Sequence, residues 1–396
     1  MKMRPCWAEI DTRALEDNVR FLAGLAAPYA EILAMVKANA YGHSLALCAP
    51  AAVRAGARWL GVTTVEEGIV ARSLCPQARV LIVSGAFPGQ AEAAVQFQLT
   101  PVVWEHWQLE ELASACRAAR LGPNSFPVHL ELDTGMSRQG VADSELASIF
   151  SRFGPDSPLR LEGVMTHLFA ADEADGQVTD KQLERLDEAM GRISSSGIFA
   201  EWLNVGASAA LLAGQAKPIS ELAARHGMKA LLRPGLAIYG IVPQFDPPYD
   251  AGKEPAMLVA AQKALKPVLA WKAAVVSVRS IAAGATVGYN GTFVATEPMR
   301  VALVAAGYAD GVDRHLGNHF ELLVRGQRAP LVGRVSMDQV TIDVTDIAGV
   351  APGDEVVLLG SQDDETITAH DHAEATGTIP WEVFTRIGMR VARREA

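Results

Sequence analysis

Residues 36–44 read Val36-Lys37-Ala38-Asn39-Ala40-Tyr41-Gly42-His43-Ser44. They follow the apolar run 32–36, which has the composition of a buried strand. Lys37 therefore stands where a strand ends and a loop begins. A desolvated ammonium is costly unless it is paired or neutralised. Burial lowers a lysine pKa, and a neutral amine can form a Schiff base with an aldehyde cofactor. Tyr41 offers a hydroxyl, and Gly42 lets backbone approach a ligand closely. The plain alternative is a solvated loop lysine, and the physics of these nine residues alone leaves both readings open.

Working outward, apolar strand-like runs alternate with Ala- and Leu-rich stretches of helical period. The runs are 32–36, 59–63, 80–84, 100–104, 128–132, 161–167, 202–205 and 237–239. Helical stretches at 45–57, 65–73, 108–119 and 179–194 lie among them, and 14–25 reads as a helix ahead of the first run. Eight strands alternating with helices predict an α/β fold with a closed parallel (β/α)8 barrel of the TIM type. The competing architecture is an open doubly wound sheet, but no G-x-G-x-x-G follows the first strand. The pattern changes at 243–255, a stretch rich in Pro, Asp and Gly that reads as a linker. Beyond it, short alternating runs at 268–278, 301–305, 321–324, 339–344 and 355–359 predict a mainly antiparallel β domain. We therefore expect a barrel over 12–245 and a C-terminal β domain over 246–396, joined by the N-terminal segment 1–11.

The 396 residues are 49% hydrophobic and 20% charged, enough apolar content for a large core. A formal net charge of −10 argues against a nucleic-acid partner, which calls for a basic face. No apolar run reaches membrane-spanning length, and the first residues lack the apolar stretch of a secretion signal. The four cysteines, Cys6, Cys48, Cys75 and Cys116, show no metal-ligand spacing. They read as free thiols of a cytoplasmic protein, and no metal is expected.

Polar clusters fall at the C-terminal ends of the predicted strands, where barrels carry their chemistry. Lys37 follows the first. Asp133-Thr-Gly-Met-Ser-Arg138 follows the fifth, Thr166-His167 ends the sixth, and Asn204 to Ser208 follows the seventh. Arg233-Pro-Gly-Leu-Ala-Ile-Tyr239 enters the eighth. Each has a plain reading taken singly: His167 as a satisfied core histidine, Asp133-Thr-Gly as a turn, Arg233 as a surface arginine held by a carboxylate.

The stretch 36–44 resembles the pyridoxal-phosphate (PLP) lysine motif of alanine racemases, V-K-A-N-A-Y-G-H-G, with Ser44 at the one differing position. The resemblance runs from Trp7-Ala-Glu-Ile-Asp11 to Arg390-Val391 and includes intact D-T-G-M-x-R and R-P-G-L-A-x-Y-G motifs. It implies a PLP-dependent isomerase that interconverts L- and D-alanine and supplies D-alanine for peptidoglycan. It makes Lys37 the cofactor lysine and Arg138 the partner of the cofactor's phenolic oxygen, and it places Arg233 on the pyridine nitrogen. It also places the amides of Gly235 and Leu236 on the phosphate, with hydroxyls from Tyr41 and Ser208. Arginine donates a hydrogen bond but yields no proton, which keeps the pyridine neutral and suits an enzyme that only exchanges one α-proton.

In the second domain, Val287-Gly-Tyr289, Gly307-Tyr-Ala-Asp-Gly311 and Gly333-Arg-Val-Ser-Met-Asp-Gln339 resemble the family's remaining signatures. The resemblance implies a homodimer with shared sites, in which Tyr289 and Met337 reach the partner's cofactor. Lys37 and Tyr289 are then two bases on opposite faces of a planar carbanion. His167, backed by Arg233, is expected to lower the tyrosine pKa through positive charge, and Arg138 and Met337 to hold the substrate carboxylate.

Four positions depart from the family pattern. Glu131 stands where many members carry a carbamylated lysine, and is expected to salt-bridge Arg138 directly. Ala207 replaces an asparagine whose amide Asn204 is the candidate to supply. Trp381 stands where a tyrosine hydroxyl usually meets the phosphate, and keeps only the aromatic bulk. Ser336 replaces a frequent cysteine. Competing readings are a racemase of another small amino acid such as serine, a barrel PLP decarboxylase, and a non-catalytic PLP carrier resembling the barrel alone.

Overall fold

A computed structural model describes residues 4–195 and 197–396 of the chain. Two compact units emerge. One comprises Arg13–Ala40 and Cys48–Lys266; the other gathers the residues up to Thr12, Tyr41–Leu47 and Pro267–Ala396.

The first strand in the chain, β1 (Cys6–Ile10), belongs to the second unit. The first unit is built on β2 (Ala30–Met35), β3 (Trp59–Val62), β4 (Arg79–Ile82), β5 (Thr100–Val103), β6 (Phe126–Glu131), β7 (Leu159–Met165), β8 (Trp202–Asn204) and β9 (Lys229–Leu232). These eight strands pair in sequence order, all parallel, and close with Ala30 opposite Ala230. The predicted (β/α)8 barrel is thus present. All four residues of β3 and of β5 are buried, as strands covered on both faces require. Helices return along the outside between strands. Val65–Leu74 opens on Thr64, whose hydroxyl accepts from the Glu67 amide, and His106–Ala118 opens on a Glu105–Gln108 capping box.

The sequence reading placed the eighth strand wrongly. Residues 236–239 form a 3₁₀ turn, and the strand is β9, seven residues earlier. Pro234 has no N–H to give to a ladder, and Gly235 leaves the extended region at φ −113°, ψ −84°. The apolar run that imitated a strand is buried as a turn, where Tyr239 Oη donates to the Met35 carbonyl at 2.9 Å. Arg233 therefore leaves a barrel strand instead of entering one, as the other site residues do. The remaining seven strands lie within two residues of their predicted ends.

The second unit is mainly antiparallel, as predicted. β10 (Leu269–Ile281) is its spine. It pairs with β1 and Glu355–Gln362 along its first half and with Met299–Val304 along its second. Glu321–Val324, Gln327–Pro330 and Val340–Asp343 extend the sheet, and Ala392–Glu395 lies parallel to β1. The alternating burial of β1 and of the first half of β10 shows one face turned to a core. No described helix is long and apolar enough to cross a membrane.

Candidate active site

Lys37 leaves the end of β2 into an unusual turn. Ala38, Asn39, Ala40 and Tyr41 all adopt left-handed helical backbone, with φ between +51° and +57°. Such conformations cost non-glycine residues about 1–2 kcal/mol each and persist only where the surroundings enforce them. Glu67 supplies part of that enforcement, since its two carboxylate oxygens accept from the amides of Asn39 and Thr63, each at 3.0 Å. The Ala40 amide closes the turn on the Val36 carbonyl at 2.9 Å. Nothing in the nine-residue motif announces this left-handed winding.

Arg233 is buried and tightly held. Its Nη1 donates to Asn204 Oδ1 at 2.6 Å and to the Asn204 carbonyl at 2.7 Å; its Nη2 donates to the Thr166 carbonyl at 3.0 Å and to His167 Nδ1 at 3.2 Å. A guanidinium can only donate, so His167 Nδ1 is an acceptor and the imidazole proton sits on Nε2. Burial, then Arg233, Arg138 and Lys37, push the His167 pKa down to about 3. This corrects the expectation that His167 itself carries positive charge. The charge resides on Arg233, which donates to the neutral His167 ring.

Asp133 shapes the loop that carries Arg138. Its Oδ1 accepts from the amides of Gly135 and Ser137 at 2.9 and 3.0 Å. The ends of β6 and β7 are tied by Thr134 and Thr166, whose hydroxyls meet at 2.9 Å, and Gln182 Nε2 bonds both Thr134 and the His167 carbonyl. Glu131 is buried at the end of β6 and takes a short hydrogen bond from Gln139. No ion pair within 4 Å joins it to Arg138 among the described residues, so the expected salt bridge is not formed. Burial raises the Glu131 pKa, against the pull of Gln139 and of Arg233 and Arg138.

Ser208 and the Arg233 loop form a second cluster. Ser208 Oγ accepts from the amides of Gly235 at 3.0 Å and Ala237 at 3.2 Å, with Leu236 between them in the chain. The Pro234 carbonyl accepts from the Met35 amide at 3.1 Å, which fastens this loop to the end of β2. Burial foremost, then the charges of Arg138 and Arg233, lower the Lys37 pKa. The barrel unit thus brings together Lys37, Arg138, His167, Ser208, Arg233, Gly235 and Leu236. Glu67, Gln139 and Gln182 also serve the site, and sequence reasoning missed them because their partners lie across loops with no fixed spacing.

The other predicted residues lie in the second unit. Tyr289 opens a short 3₁₀ turn after Gly288 and is 67% exposed. Gly288 adopts φ +75°, and a Cβ there would meet the Arg334 amide at 3.1 Å. The loops 307–311 and 336–339 are zipped together by bonds from Tyr308 N to the Ser336 carbonyl and from Ala309 N to the Met337 carbonyl. Asp310, fully buried, accepts from the Gly307 amide, Arg4 and Arg390, and Arg390 continues to Asp338. This cluster presents Tyr308 and Met337 at the surface, 43% and 52% exposed. Tyr41 and Gly42 group with this unit, where Gly42 packs so closely on the Phe384 carbonyl that a side chain has no room. Phe384 and Trp381 share the helix Pro380–Arg386. No group of three potential metal ligands occurs among the described residues.

Comparison with known proteins agrees with both halves of this arrangement. The family model for the alanine racemase N-terminal domain matches residues 10–243, and that for the C-terminal domain matches 268–395. The C-terminal match removes the reading as a carrier built on the barrel alone. Alanine racemase of Sorangium cellulosum is 38% identical over 99% of this chain and 99% of its own length; that of Nostoc sp. is 37% identical over 98% and 95%. Among solved structures, alanine racemase from Streptomyces coelicolor superposes with a TM-score of 0.87 at 33% identity, covering 99% of this chain and 98% of its own. Alanine racemase from Bartonella henselae, solved with covalently bound pyridoxal phosphate, superposes with a TM-score of 0.82 at 28% identity over 99% of both chains. The chain belongs to the alanine racemase family.

Proposed function

We propose that this enzyme interconverts L- and D-alanine with PLP held on Lys37, using Lys37 and Tyr289 of the partner subunit as two bases. The observation that carries the reading is the gathering of Lys37, Arg138 and Arg233 at one barrel end, where their mutual field and burial depress Lys37 and His167. Two guanidiniums beside a buried lysine call for an anionic ligand. Ser208 adds to the fit. Its oxygen already accepts two amides, so its own proton is available to a phosphate oxygen. In this reading Ser208, Gly235 and Leu236 hold the phosphate end, Arg233 meets the ring nitrogen, and Arg138 meets the phenolic oxygen. The amino-acid carboxylate would lie with Arg138 and with Met337 of the partner subunit.

PLP joined to an amino acid supplies an electron sink that makes the α-proton removable by ordinary side chains. The protein's part is to hold bases on both faces. Burial, Arg138 and Arg233 lower the Lys37 pKa, which favours the neutral amine that serves as the base on one face. Tyrosine has an ordinary pKa of about 10, so a phenolate needs help. Neutral His167 offers an Nε2–H donor, polarised by Arg233, that stabilises a phenolate without handing it a proton. Arg233 gives the ring a hydrogen bond and no proton, which disfavours side reactions at other carbons.

Tyr289, Tyr308 and Met337 are large apolar or aromatic groups left exposed on one unit, which supports burial against a second copy in a homodimer. The role we infer is supply of D-alanine for peptidoglycan from a cytoplasmic enzyme. An assay of the purified protein against a panel of L-amino acids tests this reading, with D-product measured. L-alanine should be the best substrate. A clear preference for serine, or no racemisation of alanine, would contradict it. Borohydride reduction followed by peptide mapping should place the cofactor on Lys37 and on no other lysine.

A further inference from the structure

Asn204 is fully buried at the end of β8 and touches Arg233 twice, through its side-chain oxygen at 2.6 Å and its carbonyl at 2.7 Å. Elementary donor and acceptor rules extend this contact into the barrel. Arg233 can only donate, so Asn204 must present Oδ1 to it and turn Nδ2 away. Nδ2 faces Nδ1 of His129, on β6, at 3.5 Å. An amide nitrogen also only donates, so His129 accepts at Nδ1 and carries its proton on Nε2. That nitrogen lies 3.6 Å from Glu162 Oε2, on β7. His129 and Glu162 are 0% and 1% exposed, and these two facing atoms have no hydrogen-bond partner, so each is the nearest polar group the other can use.

Burial lowers the His129 pKa, although Glu162 pulls the other way. Burial opposes charge on Glu162 as well, but His129, Arg79 and Arg160 hold its pKa down at about 2. Arg160 Nη2 donates to Glu162 at 2.7 Å, and Arg79 forms a short ion pair with the same oxygen while its guanidinium stacks 3.8 Å above the Trp59 ring. The His129 ring is edge-on to Trp59 and lies over Gly163, where a Cβ would fall 2.5–2.8 Å from ring atoms. A register shift between β6 and β7 falls at this point, between Val128 and His129. The rotamers of His129 and Asn204 are therefore set by packing as well as by polarity.

We propose that Asn204 is a positioning residue for racemisation, which aims the Arg233 guanidinium through its side-chain oxygen and is itself oriented by His129 and Glu162. The proposal deepens the reading given above, because it rests on Arg233 facing the cofactor ring. Without Oδ1, Arg233 keeps its charge and its bonds to the carbonyls of Asn204 and Thr166, but loses the contact that fixes its tilt. Charge-dependent binding survives and geometry-dependent catalysis suffers.

The test uses PLP-loaded wild type, Asn204→Ala, Asn204→Asp and Arg233→Gln, compared in kcat, KM for alanine and the visible spectrum of the bound cofactor. Asn204→Ala should lower kcat by about 10- to 100-fold, the scale of a hydrogen bond to a charged group, with KM moved less than about 3-fold. Its spectrum should shift toward that of Arg233→Gln. Asn204→Asp restores the acceptor toward Arg233, with His129 taking a proton at Nδ1 to meet the second carboxylate oxygen, and should recover most of kcat and the wild-type spectrum. If Arg233→Gln changes both kcat and the spectrum while Asn204→Ala changes neither, Asn204 has no positioning role. If Arg233→Gln leaves both unchanged, the placement of Arg233 at the cofactor fails, and the proposal with it. Should Asn204→Ala not fold, Asn204→Asp decides alone: near-wild-type kcat and spectrum support the proposal, and a loss matching Arg233→Gln overturns it.

Discussion

Nη2 of Arg233 donates to Nδ1 of His167 at 3.2 Å, so the imidazole beside this buried guanidinium is an acceptor and stays neutral. Its pKa of about 3 in the folded protein lies well below the ordinary histidine value of 6.5. A histidine depressed in the native state contributes stability that is fully present above pH 6.5 and is lost as pH falls toward 3, because the unfolded chain binds the proton first. We predict that histidine-labelled NMR of the resting enzyme shows a neutral imidazole at residue 167 at pH 5. Protonation of that ring near pH 6 would contradict the hydrogen-bond polarity described here.

Glu131 sits where the family often carries a carbamylated lysine, and it bonds Gln139 in place of Arg138. Its negative charge is built in, so activity should not depend on bicarbonate. Since Arg138 is not its direct ion-pair partner, Glu131→Gln should cost less than about 10-fold in kcat/KM, or about 1.4 kcal/mol. Because burial raises the Glu131 pKa, its ionisation weakens the fold as pH rises from the ordinary glutamate value through the raised one. Glu131→Gln should therefore gain melting temperature relative to wild type at pH 8 and gain less at pH 4. Activity that falls in carbon-dioxide-free buffer and returns with bicarbonate would point to a carbamylated lysine elsewhere.

Gly163 is required by its neighbour. A Cβ there would lie 2.5–2.8 Å from the His129 ring, which is walled in by Trp59 and the barrel strands. Gly163→Ala should destabilise the protein by about 1–3 kcal/mol through overpacking, seen as a lower midpoint in denaturant titration. An unchanged midpoint would mean that His129 has room to move.

Much of this was legible in the chain. The barrel follows from apolar runs of fixed length separated by helical stretches, and the polar residues after them mark the catalytic end. The eighth strand was misread because Leu236–Tyr239 is apolar for a different reason, as a buried turn anchored through Tyr239 to Met35. Pro234 was the signal that it was no ladder strand. The left-handed turn after Lys37 was invisible because it is enforced from Glu67, across a loop. The neutrality of His167 was likewise invisible, since it depends on which atom of Arg233 faces which atom of the ring. Glu131 was paired with Arg138 through the family's lysine at that position, but Gln139 reaches it first.

The two bases should fail in distinguishable ways. Tyr289→Phe should lower racemisation by roughly 10²–10⁴-fold, the usual scale for a lost acid–base group. If Tyr289 serves the L-enantiomer and Lys37 the D-enantiomer, solvent-deuterium exchange into D-alanine should survive better in this variant than exchange into L-alanine. Equal loss for both enantiomers would undo the assignment of faces.

The central claim is a site shared between subunits, with Lys37 from one chain and Tyr289 from the other. Mixing inactive Lys37→Ala with inactive Tyr289→Phe, with subunit exchange verified by mass spectrometry, tests it most directly. A heterodimer restores one complete site, so random mixing should return roughly a quarter of wild-type activity. Activity that stays at the level of the separate variants after verified exchange would show that each site is built within one chain.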